Sequence, residues 1–204
     1  RKCRKTKEKE KSLKHVNKLK SNIFISCKNN DKSITLVQRI IKMNIEIERK
    51  FLVKNNDFKK MCYDKKHITQ GYLNSNKKRV VRIRIIDDLA FLTIKGVSDA
   101  SGTTRFEWEK EIDLKDAKEL MMLCENGIIE KHRYYHKLGN HTIEIDEFLG
   151  KNKGLIIAEI ELKNKNETFL KPNYLGVEVT SDKRYYNSSL YLNPFKNWTK
   201  KTSN

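Results

Sequence analysis

The sequence is poor in residues that break or cross-link a chain. Only 2 of its 204 residues are proline and 8 are glycine, which excludes a collagen-like or a Pro/Gly-rich disordered protein. Its four cysteines, at positions 3, 27, 62 and 124, form no C-x-x-C pair. This argues against a disulfide framework and a zinc site, and it favours a reducing compartment such as the cytoplasm. No apolar run approaches the roughly 18 residues that a membrane-spanning helix needs, so we expect no membrane partner.

Positive charge is abundant but unevenly distributed. The chain holds 44 Lys+Arg against 26 Asp+Glu, a net charge of +18, which at first favours nucleic-acid binding. Residues 1–42 carry a net charge of +11, and the other 162 residues carry +7. The first segment lacks the apolar content to bury a core, so we predict a basic, disordered extension over 1–42. A compact domain is expected over 43–195 and a tail over 196–204, with nucleic acid no longer the favoured partner.

From residue 43 onward, apolar and polar residues alternate over short segments. The alternation is clearest over 45–51 and returns around residues 81–84, 92–95, 105–112, 129–135, 143–146 and 157–162. Strict alternation is typical of half-buried antiparallel strands, and Asp87-Asp88 and Gly139-Asn140 are predicted to be tight hairpin loops.

Two segments have helical spacing instead. We predict helices over Leu114–Asn126, capped by Asp113 and ended by Gly127, and over about 183–191. The sequence therefore predicts an α+β fold that is mainly antiparallel β. Seven or eight strands in so short a chain favour closure into a barrel, because closure removes unpaired edges.

The polar faces of these strands carry paired charges of one sign. Residues two apart on a strand share a face. A single pair of this kind is typical of a solvated face, but six pairs in one domain suggest that carboxylates for divalent cations and basic residues for a polyanion converge on one interior. The pairs are Glu46/Glu48, Arg82/Arg84, Glu107/Glu109, Lys131/Arg133, Glu144/Asp146 and Glu159/Glu161.

The aromatic residues between these charges are assigned to packing. Phe106 and Trp108 alternate with the glutamates of their segment. We therefore expect both rings to face outward, under a helix.

The charged segments resemble, in order, the motifs of the CYTH domain, whose members are also called triphosphate tunnel metalloenzymes. The E-x-E-x-K signature is similar to Glu46-Ile47-Glu48-Arg49-Lys50. Further blocks are Gln70-Gly71-Tyr72-Leu73, Val81-Arg82-Ile83-Arg84, Thr93-Ile94-Lys95, Arg105 to Glu109, Glu130 to Tyr134, Glu144 to Phe148, Ala158 to Glu161 and Glu178 to Tyr185. The resemblance covers about residues 43–195 and does not extend to 1–42.

The resemblance implies an eight-stranded antiparallel barrel, with a few surrounding helices, that binds a triphosphate and Mg²⁺ or Mn²⁺ inside. It implies metal ligands at Glu46, Glu48 and Glu161, with further metal or water-positioning carboxylates at Asp146 and Glu159. It implies phosphate ligands at Lys50, Arg82, Arg84, Lys95, Arg133, Lys183 and Arg184. Tyr72 and Lys131 resemble a pair that handles the proton of the attacking water or of the leaving group. Glu107 and Glu109 are implied either to bind a second metal or, in a supporting role, to hold the basic residues in place. Glu144 is also assigned a supporting role.

The activity implied is metal-dependent hydrolysis of inorganic triphosphate to diphosphate and phosphate. Hydrolysis of thiamine triphosphate or nucleoside triphosphates and cyclisation of ATP are alternatives on the same fold. A non-catalytic module that binds polyphosphate or nucleic acid is an alternative of another class. A homodimer is compatible with these expectations.

Overall fold

A computed structural model describes residues 45–76, 78–98, 103–125 and 127–198 of the chain. The predicted extension over 1–42 lies outside these residues, as does the predicted tail beyond Trp198. Nine strands occur in the described ranges: β1 (Ile45–Val53), β2 (Asp64–Asn74), β3 (Val80–Ile86), β4 (Leu89–Lys95), β5 (Thr104–Ile112), β6 (Ile129–Leu138), β7 (His141–Phe148), β8 (Ile156–Glu161) and β9 (Leu175–Glu178).

Two α-helices accompany these strands, α1 (Leu114–Met122) and α2 (Asn187–Leu192). Four short 3₁₀ helices occupy Asp57–Lys60, Gly150–Asn152, Lys183–Tyr185 and Phe195–Asn197. None of the helices in the described ranges is long and apolar enough to cross a membrane.

Eight of the strands form a closed antiparallel barrel. Their order is β1-β5-β4-β3-β2-β6-β7-β8, and β8 pairs with β1 to close the ring. The ninth strand, β9, pairs with β1 beyond the point where β5 ends, at Phe51 and Val53. The predicted eight-stranded barrel is therefore confirmed, and so are the hairpin loops Asp87-Asp88 and Gly139-Asn140. Asp87 adopts φ 50°, a left-handed conformation that Asp tolerates in tight turns.

The apolar residues pack mainly outside the barrel. One cluster includes Phe51, Ile145 and Ile160 and is covered by Phe58 of the first 3₁₀ helix and by Tyr174. A second lies under α1, where Ala117 packs on Ile83 and Ala90. Gly71 permits this helix and the residues after it to lie close to β2, because a Cβ at position 71 would stand only 2.6 Å from the sulfur of Cys124.

A third apolar cluster includes Tyr72, Ile129, Phe148 and Ile157, and α2 contributes Leu190 and Tyr191 to it. Ile129, Phe148 and Ile157 each stand two positions from a charged residue on the same strand face. Ile129 precedes Lys131 and Phe148 follows Asp146, for example. Since alternate strand residues share a face, the inner face of the barrel is apolar at this end and charged beyond it. We call this cluster the apolar plug.

Several sequence-based expectations require correction. The prediction that Phe106 and Trp108 face outward under a helix is wrong in its second part, because 48% of Phe106 and 38% of Trp108 are exposed. The first predicted helix ends four residues early, at Met122, and the second divides into the 3₁₀ helix Lys183–Tyr185 and α2. Strands β2 and β9 were absent from the segments with clear alternation.

Candidate active site

Most of the predicted charged residues meet inside the barrel. Several of their ion pairs join strands that are not neighbours in the sheet, such as Arg133 of β6 with Glu159 of β8 and Lys95 of β4 with Glu46 of β1. Such pairs can form only across the concave inner face. The seven cations of this interior are Lys50, Arg82, Arg84, Lys95, Arg105, Lys131 and Arg133. The eight carboxylates are Glu46, Glu48, Glu107, Glu109, Glu144, Asp146, Glu159 and Glu161. We call this set the charged interior.

Cross-strand register explains how opposite charges find each other. Lys50 lies directly opposite Glu159, Arg133 opposite Asp146, and Lys95 opposite Glu107. Opposite charges in these positions stabilise a strand pair, whereas like charges destabilise it. Glu48 faces Glu161 directly, so this pair of strands depends on a cation placed between or beside the two carboxylates.

The most deeply buried part of the interior is a network around Asp146. Its carboxylate accepts hydrogen bonds from Lys131 Nζ at 2.5 Å and from Arg133 Nε and Nη2, both at 2.7 Å. Arg133 also donates to Glu159 at 3.0 Å and contacts Glu144, and Lys50 Nζ lies 2.5 Å from Glu159. Asp146 and Lys131 are both almost fully buried. A charge in this network is tolerated only because an opposite charge touches it.

The second part of the interior is built on β3, β4 and β5. Arg84 Nη2 donates to both oxygens of Glu109, at 2.9 and 2.7 Å, and the buried hydroxyl of Thr93 donates to the same carboxylate at 2.6 Å. Lys95 Nζ lies 2.7 Å from Glu107. The buried Nε atoms of Arg82 and Arg84 have no hydrogen-bond acceptor among the described residues. Buried donors without a partner are unusual, and here they are suited to an incoming anion.

The third part contains the predicted metal ligands. Arg105 donates from Nε to Glu46 and from Nη2 to Glu48, at 2.8 Å in each case. Glu161 stands at the exposed end of β8, and burial together with Glu46, Glu144, Glu107 and Glu48 raises its pKa. The all-oxygen chemistry of these carboxylates fits Mg²⁺ or Mn²⁺. In the described ranges, however, no three acidic, His or Cys side chains are arranged to hold a metal ion.

The two predicted proton-handling residues have different acidities. Burial lowers the pKa of Lys131 to about 8, despite the adjacent Asp146. Burial raises the pKa of Tyr72 to about 12, and its hydroxyl accepts a hydrogen bond of 3.2 Å from Gln70 Nε2. Near neutral pH only Lys131 can readily exchange its proton.

Ionic contacts also shift the acidities of the neighbouring groups. Burial and the nearby Arg82 lower the pKa of Arg84 to about 10. Although burial acts against ionisation, contacts that include Glu46 and Lys95 hold the pKa of Glu107 at about 2. The pKa of Asp146 lies below its usual value because Arg133 and Lys131 outweigh its burial. Asp146 therefore stays ionised at neutral pH.

Two of the predicted phosphate ligands are not brought to this interior. Arg184 binds Asp182 through its guanidinium, with 2.6 Å between Nη2 and Oδ2, and lies over the rings of Tyr185 and Trp198. Its side chain is 66% exposed. Lys183 is exposed in the same 3₁₀ helix. Neither residue has a described contact with the charged interior.

Three residues of the interior, Arg105, Thr93 and Gln70, stand in the family-like blocks but were assigned no site role from the sequence. Arg105 stands two residues before Glu107 and therefore shares its face, which is the signal that could have identified it. Thr93 stands two residues before Lys95 in the same way. Gln70, fully buried beside Tyr72, leaves its Oε1 atom without a hydrogen-bond donor in the described part of the chain.

The network around Asp146 predicts a large loss of stability when its carboxylate is removed. Asp146→Asn leaves Lys131 and Arg133 without full compensation, and breaking a buried ion pair from one side costs about 3–5 kcal/mol. The free energy of unfolding, measured in urea, should fall by about this amount. Asp182→Asn is the matched control, because it breaks an exposed pair and should change stability little. Equal effects of the two variants would contradict the network.

Comparisons with known proteins agree with this geometry. The family model of the CYTH domain matches residues 44–189. The chain is 45% identical over 157 residues to an inorganic triphosphatase of Acetivibrio thermocellus, covering 76% of this chain and 99% of that protein. It is 34% identical over 151 residues to an inorganic triphosphatase of Nitrosomonas europaea, covering 72% and 97%. The crystal structure of the inorganic triphosphatase NE1496 matches with a TM-score of 0.52 and 32% identity, over 72% of this chain and 94% of that one. The chain belongs to the CYTH domain family.

Proposed function

We propose that the protein hydrolyses inorganic triphosphate to diphosphate and phosphate, with Mg²⁺ or Mn²⁺, inside the barrel. The observation that carries this proposal is the pair of buried guanidinium Nε donors of Arg82 and Arg84 without acceptors among the described residues. They stand in an interior lined by further cations. Two relatives that cover most of this domain are named inorganic triphosphatases.

The phosphate ligands that we propose are those cations that already lie on the inner face. Guanidinium groups match phosphate oxygens in pairs, and lysines add point charges. The burial and the neighbouring Arg82 that lower the pKa of Arg84 also favour an anion beside it. The proposed set is Lys50, Arg82, Arg84, Lys95 and Arg133. We leave out Lys183 and Arg184, since Arg184 is already bound to Asp182.

The proposed metal ligands are Glu46, Glu48 and Glu161. When bound, a divalent cation would neutralise phosphate charge and polarise the phosphoryl oxygens. We assign Asp146 and Glu159 a different role, because Lys131, Arg133 and Lys50 occupy their oxygens. These carboxylates hold the cations in fixed positions. Glu107, Glu109 and Glu144 support Lys95, Arg84 and Arg133 in the same way.

Lys131 is the group that we propose to accept the proton of the attacking water. Its lowered pKa leaves a useful fraction unprotonated near pH 8. Tyr72, with a pKa of about 12, keeps its proton and can donate a hydrogen bond. The remaining residues position and neutralise the substrate, as phosphoryl transfer requires.

The apolar plug favours inorganic triphosphate as the substrate, because this molecule is small and compact. Tyr72, Ile129, Phe148 and Ile157 fill the inner end of the barrel, and Leu190 and Tyr191 of α2 pack against them. A linear triphosphate can lie along the charged interior without entering this end. Thiamine triphosphate, ATP and other nucleoside triphosphates would need space for their organic groups at the opposite end.

Phosphate release tests the proposed reaction. The protein should release phosphate from inorganic triphosphate with Mg²⁺ or Mn²⁺ and release none with EDTA. Glu48→Gln should lower kcat/KM by roughly 100-fold or more, because it removes a charge that the transition state needs. Glu178→Gln is the control, since Glu178 pairs with Arg49, outside the charged interior. Wild-type turnover by Glu48→Gln would refute the metal assignment.

The same assay separates the alternatives. If the protein turned over thiamine triphosphate or ATP faster than inorganic triphosphate, the organic triphosphate would be its substrate, and the proposed inorganic triphosphatase activity would be wrong. No release from any triphosphate, together with steeply salt-dependent nucleic-acid binding, would favour the binding module.

The pH dependence tests Lys131. We expect kcat to rise between about pH 7 and 9 as Lys131, with its pKa of about 8, loses its proton. Lys131→Arg preserves the charge beside Asp146 but cannot lose a proton, so kcat should fall roughly 100-fold or more. If Lys131→Arg kept wild-type kcat with an unchanged pH profile, the residue would be only a structural cation.

We further propose a cytoplasmic location, in line with the four scattered cysteines, which form no C-x-x-C pair. A homodimer stays a prediction. Measurement of the molar mass in solution would test it.

A further inference from the structure

One guanidinium holds both glutamates of the E-x-E signature. Arg105 lies directly opposite Glu46 in the β1–β5 pair. Its Nε donates to Oε2 of Glu46 and its Nη2 to Oε1 of Glu48, both at 2.8 Å. The side chain of Arg105 is only 19% exposed and that of Glu48 only 9%. These are short, charge-assisted hydrogen bonds in a largely desolvated place.

The same two oxygens have lysine partners as well. Lys95 Nζ lies 3.2 Å from Oε2 of Glu46, and Lys50 Nζ lies 2.9 Å from Oε1 of Glu48. Cations of the protein therefore already compensate these carboxylates. A divalent ion that bound to the same oxygens would have to compete with the bridging guanidinium, because both need the electron pairs of the carboxylates.

The arrangement of the third proposed ligand agrees with this competition. Glu161 faces Glu48 across the β1–β8 pair, yet no three acidic, His or Cys side chains of the described residues are arranged to hold a metal. With the guanidinium bridging Glu46 and Glu48, the carboxylates are arranged around an arginine rather than around an ion.

We propose that Arg105 is an internal counter-ion that substitutes for the divalent metal between Glu46 and Glu48, and that metal loading displaces its guanidinium. This rests on the metal site of the proposed function. In the metal-free protein, Arg105 keeps the like charges of Glu46 and Glu48 from repelling each other. It thereby stabilises the metal-free barrel and weakens metal binding, so Arg105 is a positioning residue for the metal ligands.

The two effects predict opposite changes in two measurements. Arg105→Met should lower the melting temperature without metal, since it removes the cation that bridges the two carboxylates and leaves only one lysine beside each. It should also tighten Mn²⁺ binding by roughly tenfold, because Mn²⁺ no longer has to break charge-assisted hydrogen bonds. A residue with a merely structural role would, on removal, lower stability without raising affinity for the metal.

Titration with Mn²⁺, followed by electron paramagnetic resonance of the free ion, measures the affinity without any turnover. Arg49→Met is the matched control, because it removes one positive charge from the same region but from a pair with Glu178. Its Mn²⁺ affinity should stay within about twofold of the wild type, apart from long-range charge effects. If Arg105→Met fails to fold, Arg105→Lys serves instead, because a single ammonium cannot bridge both carboxylates in the same way. Arg105→Lys should raise the Mn²⁺ affinity above that of the wild type by less than the tenfold expected for Arg105→Met.

Two further outcomes separate this inference from the proposed function. If Glu48→Gln loses Mn²⁺ binding but neither Arg105 variant binds Mn²⁺ more tightly than the wild type, the metal site stands and the role of Arg105 is refuted. If the wild type does not bind Mn²⁺, or Glu48→Gln binds it equally well, both the metal site and the role of Arg105 are refuted.

Discussion

The structure depends on one constraint, that a charge taken out of water must touch an opposite charge. The barrel encloses seven cations and eight carboxylates, and cross-strand register places Lys50 against Glu159, Arg133 against Asp146 and Lys95 against Glu107. Because desolvation of an unpaired ion is so costly, these side chains hold one another in fixed positions before any ligand arrives. Preorganisation of this kind is what phosphoryl transfer asks of a protein.

The same constraint explains why the hydrophobic core lies outside the barrel. A charged interior cannot supply the apolar burial that drives folding, so the core lies outside the barrel, under α1 and around Phe51, Phe58 and Tyr174. Among the described residues, one end of the interior is apolar, and Leu190 and Tyr191 of α2 pack there. Apolar contacts outside hold the barrel, and the interior is free to carry charges that a ligand can rearrange.

Much of this could be predicted from the sequence, because alternation fixes which residues share a strand face. The same-sign pairs identified most of the interior, and the hairpin at Asp87-Asp88 followed from its turn residues. Strand β2 was not predicted because polar residues such as Lys65 and Thr69 stand on its outer face, so apolar and polar residues do not alternate there. Strand β9 was not predicted because it has only four residues. Arg184 lies away from the interior because Asp182, which caps the same 3₁₀ helix, binds its guanidinium. The bridge from Arg105 to Glu46 and Glu48 depends on barrel closure between β1 and β5, which no local sequence pattern reveals.

We propose above all that the charged interior binds triphosphate and its metal together. Crystals grown with Mn²⁺ and a non-hydrolysable imido analogue of triphosphate would test this most directly, through the anomalous scattering of manganese. We expect an anomalous peak at Glu46 and Glu48, with phosphate density against Arg82, Arg84 and Arg133. Manganese bound only on the outer surface, with an interior whose ion pairs are unchanged, would contradict it.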